Sequence, residues 1–291
     1  MLATLKAILP PSILRPLKWA WWRVHMAQDW WGTKIWTRRR EVLTPLGFKL
    51  SSGVHPAYAL MRKGTFEVDE TRLLTRLLEN ADVLVDVGAN LGYYTLIALK
   101  MGKRVVAFEP QPRNLNALFH NITVNGWQDR AEVFPLALSD RPGLLTLFGA
   151  SGPSASLVKG WASYSASFRQ TVAVSTMDSV IGGGRFAHKH LVVKIDVEGA
   201  EYAVLKGAVE TLQSKIAPVW VVEICLDEYH PHGANPNFLA TFNLFFDNGY
   251  EAFTATDEPV AVSRGEAMTW ASQGSARSGA FNYLFVKPVS T

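Results

Sequence analysis

Cysteine is almost absent from this chain. Cys225 is the one cysteine in 291 residues. No intrachain disulfide can form, and the usage fits a reducing, cytoplasmic compartment. Long apolar stretches are missing as well. No run approaches the roughly 18 uncharged apolar residues that a spanning helix needs. A charged leader is also lacking, and Pro10-Pro11 interrupts the first apolar stretch, which makes the N-terminus a poor signal peptide. The dinucleotide fingerprint G-x-G-x-x-G does not occur at the glycine turn, and there is no convincing Tyr-x-x-x-Lys pair. No internal repeat is visible.

Acidic residues are scarce in one place. Residues 1–40 hold eight Lys and Arg against the single acid Asp29, a charge of +7, so the rest of the chain carries −3 of the net +4. The same arm contains Trp19, Trp21, Trp22, Trp30, Trp31 and Trp36, six of the ten tryptophans. Tryptophan mixed with Lys and Arg is the composition of an interfacial helix, lying on an anionic membrane surface at the inner, cytoplasmic face. The bland alternative is a helical extension that packs its tryptophans on protein. Nucleic acid ranks below both, because the remainder of the chain is acidic. The expected domains are therefore a basic, Trp-rich extension over 1–44 and one globular domain over 45–291. Oligomeric state is left open.

The most informative stretch is 83–110, VLVDVGANLGYYTLIALKMGKRVVAFEP. It reads as a buried strand, a glycine turn, an apolar helix and a second buried strand ending in Glu109. Two parallel strands joined by a helix need a crossover of this length. An acid at the tip of the second strand, about 20 residues past the glycines, is the usual acceptor for ribose hydroxyls. In the turn Gly88-Ala89-Asn90-Leu91-Gly92, Asn90 stands where a dinucleotide site has its second glycine. Asp86 just before it would repel a pyrophosphate and attract a cation. S-adenosylmethionine is cationic and carries no phosphate, so D-x-G-x-N-x-G suits it better than a nicotinamide cofactor.

Further along, strands are expected at 48–50, 131–138, 144–148, 171–175, 191–197, 219–225 and 280–286. Helices are expected at 67–78, 112–124, 200–212 and 238–248, with 51–56 as a turn. Residues 149–169 form a long Ser/Gly/Ala-rich loop holding Trp161 and Tyr164, which reads as a lid or substrate loop. The alternation predicts a doubly wound, mostly parallel α/β sheet. Ligands of such sheets bind outside the carboxyl ends of the strands. Asp86, Glu109, Ser139, Asp140, Asp196, Glu198 and Glu223 are the polar residues placed there. Helix N-capping would be a bland role for Asp140 and Glu198, and Glu201 reads as a complement to its helix dipole.

At this point the chain resembles the FkbM-type S-adenosylmethionine-dependent methyltransferases. The resemblance is carried by DVGANLGYYTL (86–96), FEPQPRNLNAL (108–118), NG (125–126), ALSD (137–140), KIDVEGAE (194–201), VLKGA (204–208) and Glu223. It implies a seven-stranded class I methyltransferase (Rossmann-like) sheet that methylates hydroxyl groups of sugars, glycolipids or other natural products. It also implies that Gly88, Asn90 and Gly92 form the methionine-end turn with Asp86 nearby. Glu109 would take the ribose, and Leu138, Ser139 and Asp140 would border the adenine. The acceptor would be a small molecule, a saccharide or a lipid-linked saccharide.

An alcohol acceptor needs a base or orienting group. Asp196 is the first candidate, followed by Glu198 and Glu223, with His230 as a rival. His188 and His190 fall at the wrong end of their strand, whereas His232 follows Glu223 on the useful side. Asp196 and Glu223 could instead hold Mg²⁺ or hydrogen-bond to each other. Two competing functions remain. One is an NAD(P)-dependent oxidoreductase on a similar sheet, and the other is a non-catalytic, membrane-associated protein that keeps the fold.

Overall fold

A computed structural model describes residues 41–53, 55–149, 155–163, 168–231, 233–276 and 280–288. The expectations for the arm at 1–40, for Tyr164 and for His232 lie outside these residues.

The chain opens with a hairpin of β1 (Glu41–Leu43) and β2 (Lys49–Ser51). Helices α1 (Pro56–Lys63) and α2 (Val68–Glu79) follow, the first beginning where the expected turn at 51–56 ends, in a stretch for which no element was expected. Pro56 presets its first turn, the His55 ring nitrogen accepts from the Ala57 N–H, and Gly64 closes it in a left-handed cap. The central unit is β3 (Val83–Val87), α3 (Tyr93–Lys100), β4 (Arg104–Phe108), α4 (Pro112–Val124) and β5 (Ala131–Phe134). Then come β6 (Ala137–Leu138), β7 (Gly143–Phe148), β8 (Arg169–Ser175) and α5 (Met177–Ile181). The second half contains β9 (Leu191–Ile195), α6 (Glu201–Lys206), α7 (Val209–Leu212), β10 (Val219–Glu223) and α8 (Phe238–Asp247). It closes with β11 (Glu251–Thr254), β12 (Ala261–Val262), α9 (Arg264–Gln273) and β13 (Asn282–Val286).

The main sheet has the order β12-β11-β13-β10-β9-β3-β4-β5. Strands β5, β4, β3, β9 and β10 run parallel, and β13, β11 and β12 are added by antiparallel pairing. The expected seven strands are thus present with an eighth, the two-residue edge strand β12. Side-chain alternation feeds two cores. Val83, Val85 and Val87 pack toward α5–α9, and Leu84 packs toward α1–α4. The sheet is covered on both faces, as an all-buried parallel sheet requires.

Two elements correct the reading from sequence. The strand expected at 131–138 is broken at Pro135, and its second piece, β6, joins a separate three-stranded sheet, β6-β8-β7. Proline cannot donate to a ladder, so the chain leaves the main sheet there. The helix expected at 200–212 is divided at Gly207 into α6 and α7, because the Gly207 backbone lies against the Ser139 carbonyl.

Candidate functional site

A cleft opens at the carboxyl ends of β3, β4 and β9. Gly88, Asn90, Glu109, Leu138, Asp196 and Glu198 line it, together with Asn114, Leu136 and, from the loop after β7, Ala155 and Leu157. Ala155 and Leu157 of the long loop form part of its wall. Ser156 forms an isolated bridge to Phe148, and its hydroxyl donates to the Glu198 carbonyl at 2.5 Å.

The turn after β3 is pressed against the end of β9. Gly88 has φ +87°, and a Cβ there would lie 1.9 Å from the Asp196 carbonyl oxygen. Only glycine fits both the conformation and the contact. Asn90, itself left-handed at φ 53°, lines the same cleft as Asp196. Glu109 sits opposite, 4% exposed, accepting from the N–H groups of Asn90 at 2.8 Å and Gln111 at 2.7 Å. Burial pushes its carboxyl up to about 7, against the opposing pull of these N–H groups and of the Asn114 amide.

Strand alternation sends Asp86 elsewhere. It lies within β3, on the face that packs on α3, and accepts from the Thr95 hydroxyl at 2.6 Å. Beside it in register is Lys194 of β9, a buried ammonium that pairs with Asp196 at 2.7 Å and sits 4.7 Å over the Tyr94 ring. Tyr94 in turn donates to Glu67 at 2.6 Å. Burial raises Glu67 to about 7, with Lys194 opposing. Burial opposes the charge on Lys194, and Asp196 and Glu67 together outweigh it and push the ammonium up. Asp86 therefore helps surround Lys194 and does not line the cleft. Lys194, Glu67 and Tyr94 were not found from the sequence. A lysine inside an apolar strand, next to an acid two residues on, was the available signal.

At the other end of the site, Asp196, Glu198 and Glu223 each offer a carboxylate oxygen within 4.8 Å of the others. Such a group can hold a divalent cation or share protons. Burial, then the neighbouring Asp196, pushes Glu198 and Glu223 well above the usual carboxylate range. Glu198 is not a helix N-cap, since Ala200 holds that position in α6. Its carboxylate accepts from the Trp161 indole N–H at 2.5 Å. Trp161 is 2% exposed and packs on Gly199, whose missing Cβ would fall 2.4 Å from the ring. His230 and Tyr229 stand against the same indole, at 6.0 and 6.2 Å between ring centres. His190 lies at the far end of β9, where its carbonyl accepts from Asp82.

Gly92 caps α3. Ser139 and Asp140 turn from the cleft toward α6, where Asp140 pairs with Lys206 at 3.0 Å. Asp140 precedes β7, not a helix, so it caps none. Glu201 stands in the first turn of α6 and accepts from the Gly199 N–H at 2.9 Å.

The five non-glycine residues with positive φ among those described are Glu67, Asn90, Ala162, Glu198 and Tyr229. Asn90 and Glu198 line the cleft, Glu67 belongs to the Lys194 network, and Ala162 and Tyr229 pack beside Trp161. Backbone strain of this kind persists where surrounding contacts over-determine it, commonly at sites.

The methyltransferase FkbM domain family matches residues 86–252, and the chain belongs to that family. Hexuronic acid methyltransferase AglP of Haloferax volcanii is 36% identical over 150 residues, which is 51% of this chain and 59% of that protein. The match thus spans well under two thirds of this relative's length. The solved structure of methyltransferase FkbM from Methylobacillus flagellatus KT is 18% identical with TM-score 0.43, over 71% of this chain and 44% of that one. A SAM-dependent O-methyltransferase from Thermotoga maritima is 10% identical with TM-score 0.40, over 87% and 78%.

Proposed function

We propose that this chain is an S-adenosylmethionine-dependent O-methyltransferase whose acceptor is a hydroxyl of a saccharide or lipid-linked saccharide. The observation that carries the reading is one cleft lined together by Glu109, Asn90 and Asp196. Glu109 would accept the ribose hydroxyls, and Gly88, Asn90 and Gly92 would hold the methionine end. Leu138 and Leu136 would border the adenine. The donor set fits the group: the buried Glu109 carboxyl lines the cleft, and the Gly88 turn presses against the Asp196 carbonyl. When bound, this cofactor supplies an electrophilic methyl group. The chain's own task is to position the acceptor and hold its proton. Asp196 Oδ would take that proton, oriented by Lys194 Nζ, and Glu223 and Glu198 would stand behind it. Mg²⁺ has no observation in its favour beyond the carboxylate spacing.

The saccharide class is supported by the hexuronic acid in the relative's name. The test is calorimetric titration with S-adenosylhomocysteine and with NAD⁺, followed by transfer of labelled methyl to a set of glycosides and uronic acids. Binding of NAD⁺ alone would overturn the reading in favour of an oxidoreductase. Cofactor binding without transfer to any hydroxyl would overturn the acceptor class.

The basic, Trp-rich arm is proposed to contact anionic membrane. No helix among the described residues is long and apolar enough to cross one. Each basic residue near an anionic surface contributes about 1 kcal/mol. Deleting residues 1–40 should abolish sedimentation with anionic liposomes while leaving cofactor binding intact. A lower melting temperature with no liposome binding by the intact chain would favour a packed extension.

A further inference from the structure

Helix α1 lies outside the stretch matched by the family, yet it reaches back to the cofactor turn. Its Tyr58 is 5% exposed and donates its hydroxyl to the Asn90 side-chain oxygen at 3.1 Å. The helix is anchored at its other end. Arg62 donates to the Ser52 hydroxyl at 2.5 Å and to the Gly53 carbonyl at 2.9 Å. The His55 ring packs edge-on against Tyr58, 5.6 Å between centres. The tyrosine is therefore held in place independently of Asn90.

Asn90 is fixed from two further directions. Its backbone N–H donates to Glu109, and its φ of 53° sets the side chain on the cleft side of the turn. With the oxygen of the amide accepting from Tyr58, the nitrogen is the remaining end. It makes no hydrogen bond among the described residues, and Asn90 lines the cleft. A neutral NH₂ donor presented there suits an anionic group. An S-adenosylmethionine-type cofactor has one such group, the α-carboxylate of its methionine.

We propose that Tyr58 orients the Asn90 amide so that its NH₂ end binds the methionine carboxylate of the cofactor, which makes α1 part of the cofactor site. The proposal rests on the cofactor reading above. Tyr58 is a positioning residue, because it acts through Asn90.

The experiment compares two ligands that differ in that carboxylate. S-adenosylhomocysteine carries the amino-acid end, and 5′-methylthioadenosine lacks it. Tyr58→Phe removes one hydroxyl and keeps the ring. It should weaken S-adenosylhomocysteine about 3- to 10-fold by calorimetry, the effect of one lost neutral hydrogen bond. Binding of methylthioadenosine should stay within about twofold. Asn90→Gly tolerates the left-handed backbone and removes the amide. In that background Tyr58→Phe should add nothing, since the residue it acts through is gone. Asn90→Asp keeps the acceptor for Tyr58 and replaces the donor by an oxygen. It should discriminate against S-adenosylhomocysteine alone.

Unchanged affinity in Tyr58→Phe overturns the proposal. So does an equal loss for both ligands, which would mean a role in the fold. Should Tyr58→Phe prove unstable, Asn90→Asp decides: if it binds S-adenosylhomocysteine as tightly as the parent, the proposal is wrong. A parent protein that binds neither ligand would instead defeat the cofactor reading itself.

Discussion

Glu109 carries the most quantitative prediction. Its carboxylate already accepts from the N–H groups of Asn90 and Gln111, and it is still raised from 4.5 to about 7, because burial outweighs them. Ribose hydroxyls would donate to the ionised form, so binding must expel the proton wherever one is bound. The sign follows: affinity falls as the pH falls through about 7. For one proton with a free-protein value of about 7 and a much lower value in the complex, affinity should fall about tenfold between pH 8 and pH 6. At pH 6.5 binding should release about three quarters of a proton, read from calorimetry in buffers of different ionisation enthalpy. Glu109→Ala should cost about 1.5–3 kcal/mol, or roughly 10- to 150-fold in affinity. Glu109→Gln should remove the pH dependence altogether. It also sets an NH₂ against a backbone N–H, at about 1–3 kcal/mol of stability. A flat affinity from pH 6 to 8 in the parent would refute the reasoning, and so would an equal slope in Glu109→Gln.

Asp196→Asn should keep affinity for S-adenosylhomocysteine within a few-fold and lower turnover by about 100-fold. If turnover survives, Glu223 or His230 becomes the better base. Lys194→Met breaks a buried pair and should cost about 3–5 kcal/mol in urea unfolding, and the double variant with Asp196→Asn should cost less than the sum of the two. Strict additivity would show that the pair is not coupled. Gly88→Ala forces a Cβ into a backbone carbonyl at 1.9 Å and should cost more than about 3 kcal/mol. A melting temperature near that of the parent would contradict the described turn. Glu67, Glu109 and Glu201 are each raised from 4.5 to about 7 by burial, so the folded chain keeps protons that the unfolded chain has released. Stability should therefore decline as the pH rises from about 4.5 to 7. Calorimetry should find a higher melting temperature at pH 5.5 than at pH 8, and the opposite order would refute it.

What the sequence revealed depended on which physical signal each residue carries. The β3–α3–β4 unit was legible because buried parallel strands are short apolar runs and the glycine turn between them has few alternatives. Glu109 was legible for the same reason, as an acid ending such a run. Asp86 was read as a cleft residue because it stands next to the turn in sequence. Alternation along β3 instead directs it to Thr95, and that depends on register with β9. Ser139 and Asp140 followed a strand that was assumed continuous, and the break at Pro135 moved them toward α6. The α1 helix was missed although Pro56 and Gly64 mark its ends, because eight residues make only about two turns, too short a window for a helical period to stand out.

The buried charges explain why the acceptor end of the site takes the form it does. Asp196 stands among Glu67, Asp86, Glu198, Glu201 and Glu223, and each of those acids is raised in part by its charge. Lys194 is the cation in direct contact with Asp196. Isolated burial of such an ammonium would be strongly unfavourable. Here the Tyr94 ring face covers it, and Asp196 and Asp86 flank it along the strands. The arrangement fixes Asp196 from behind and leaves its side chain 28% exposed, enough to meet a hydroxyl from the cleft. Glu198, by contrast, spends its carboxylate on the Trp161 indole. Removing the Glu198 carboxyl should therefore loosen the loop wall before it alters proton transfer. Glu198→Gln keeps one acceptor oxygen for the indole and should retain most turnover. Glu198→Ala should raise the KM for acceptor more than it lowers kcat, and a loss confined to kcat would return Glu198 to the list of candidate bases.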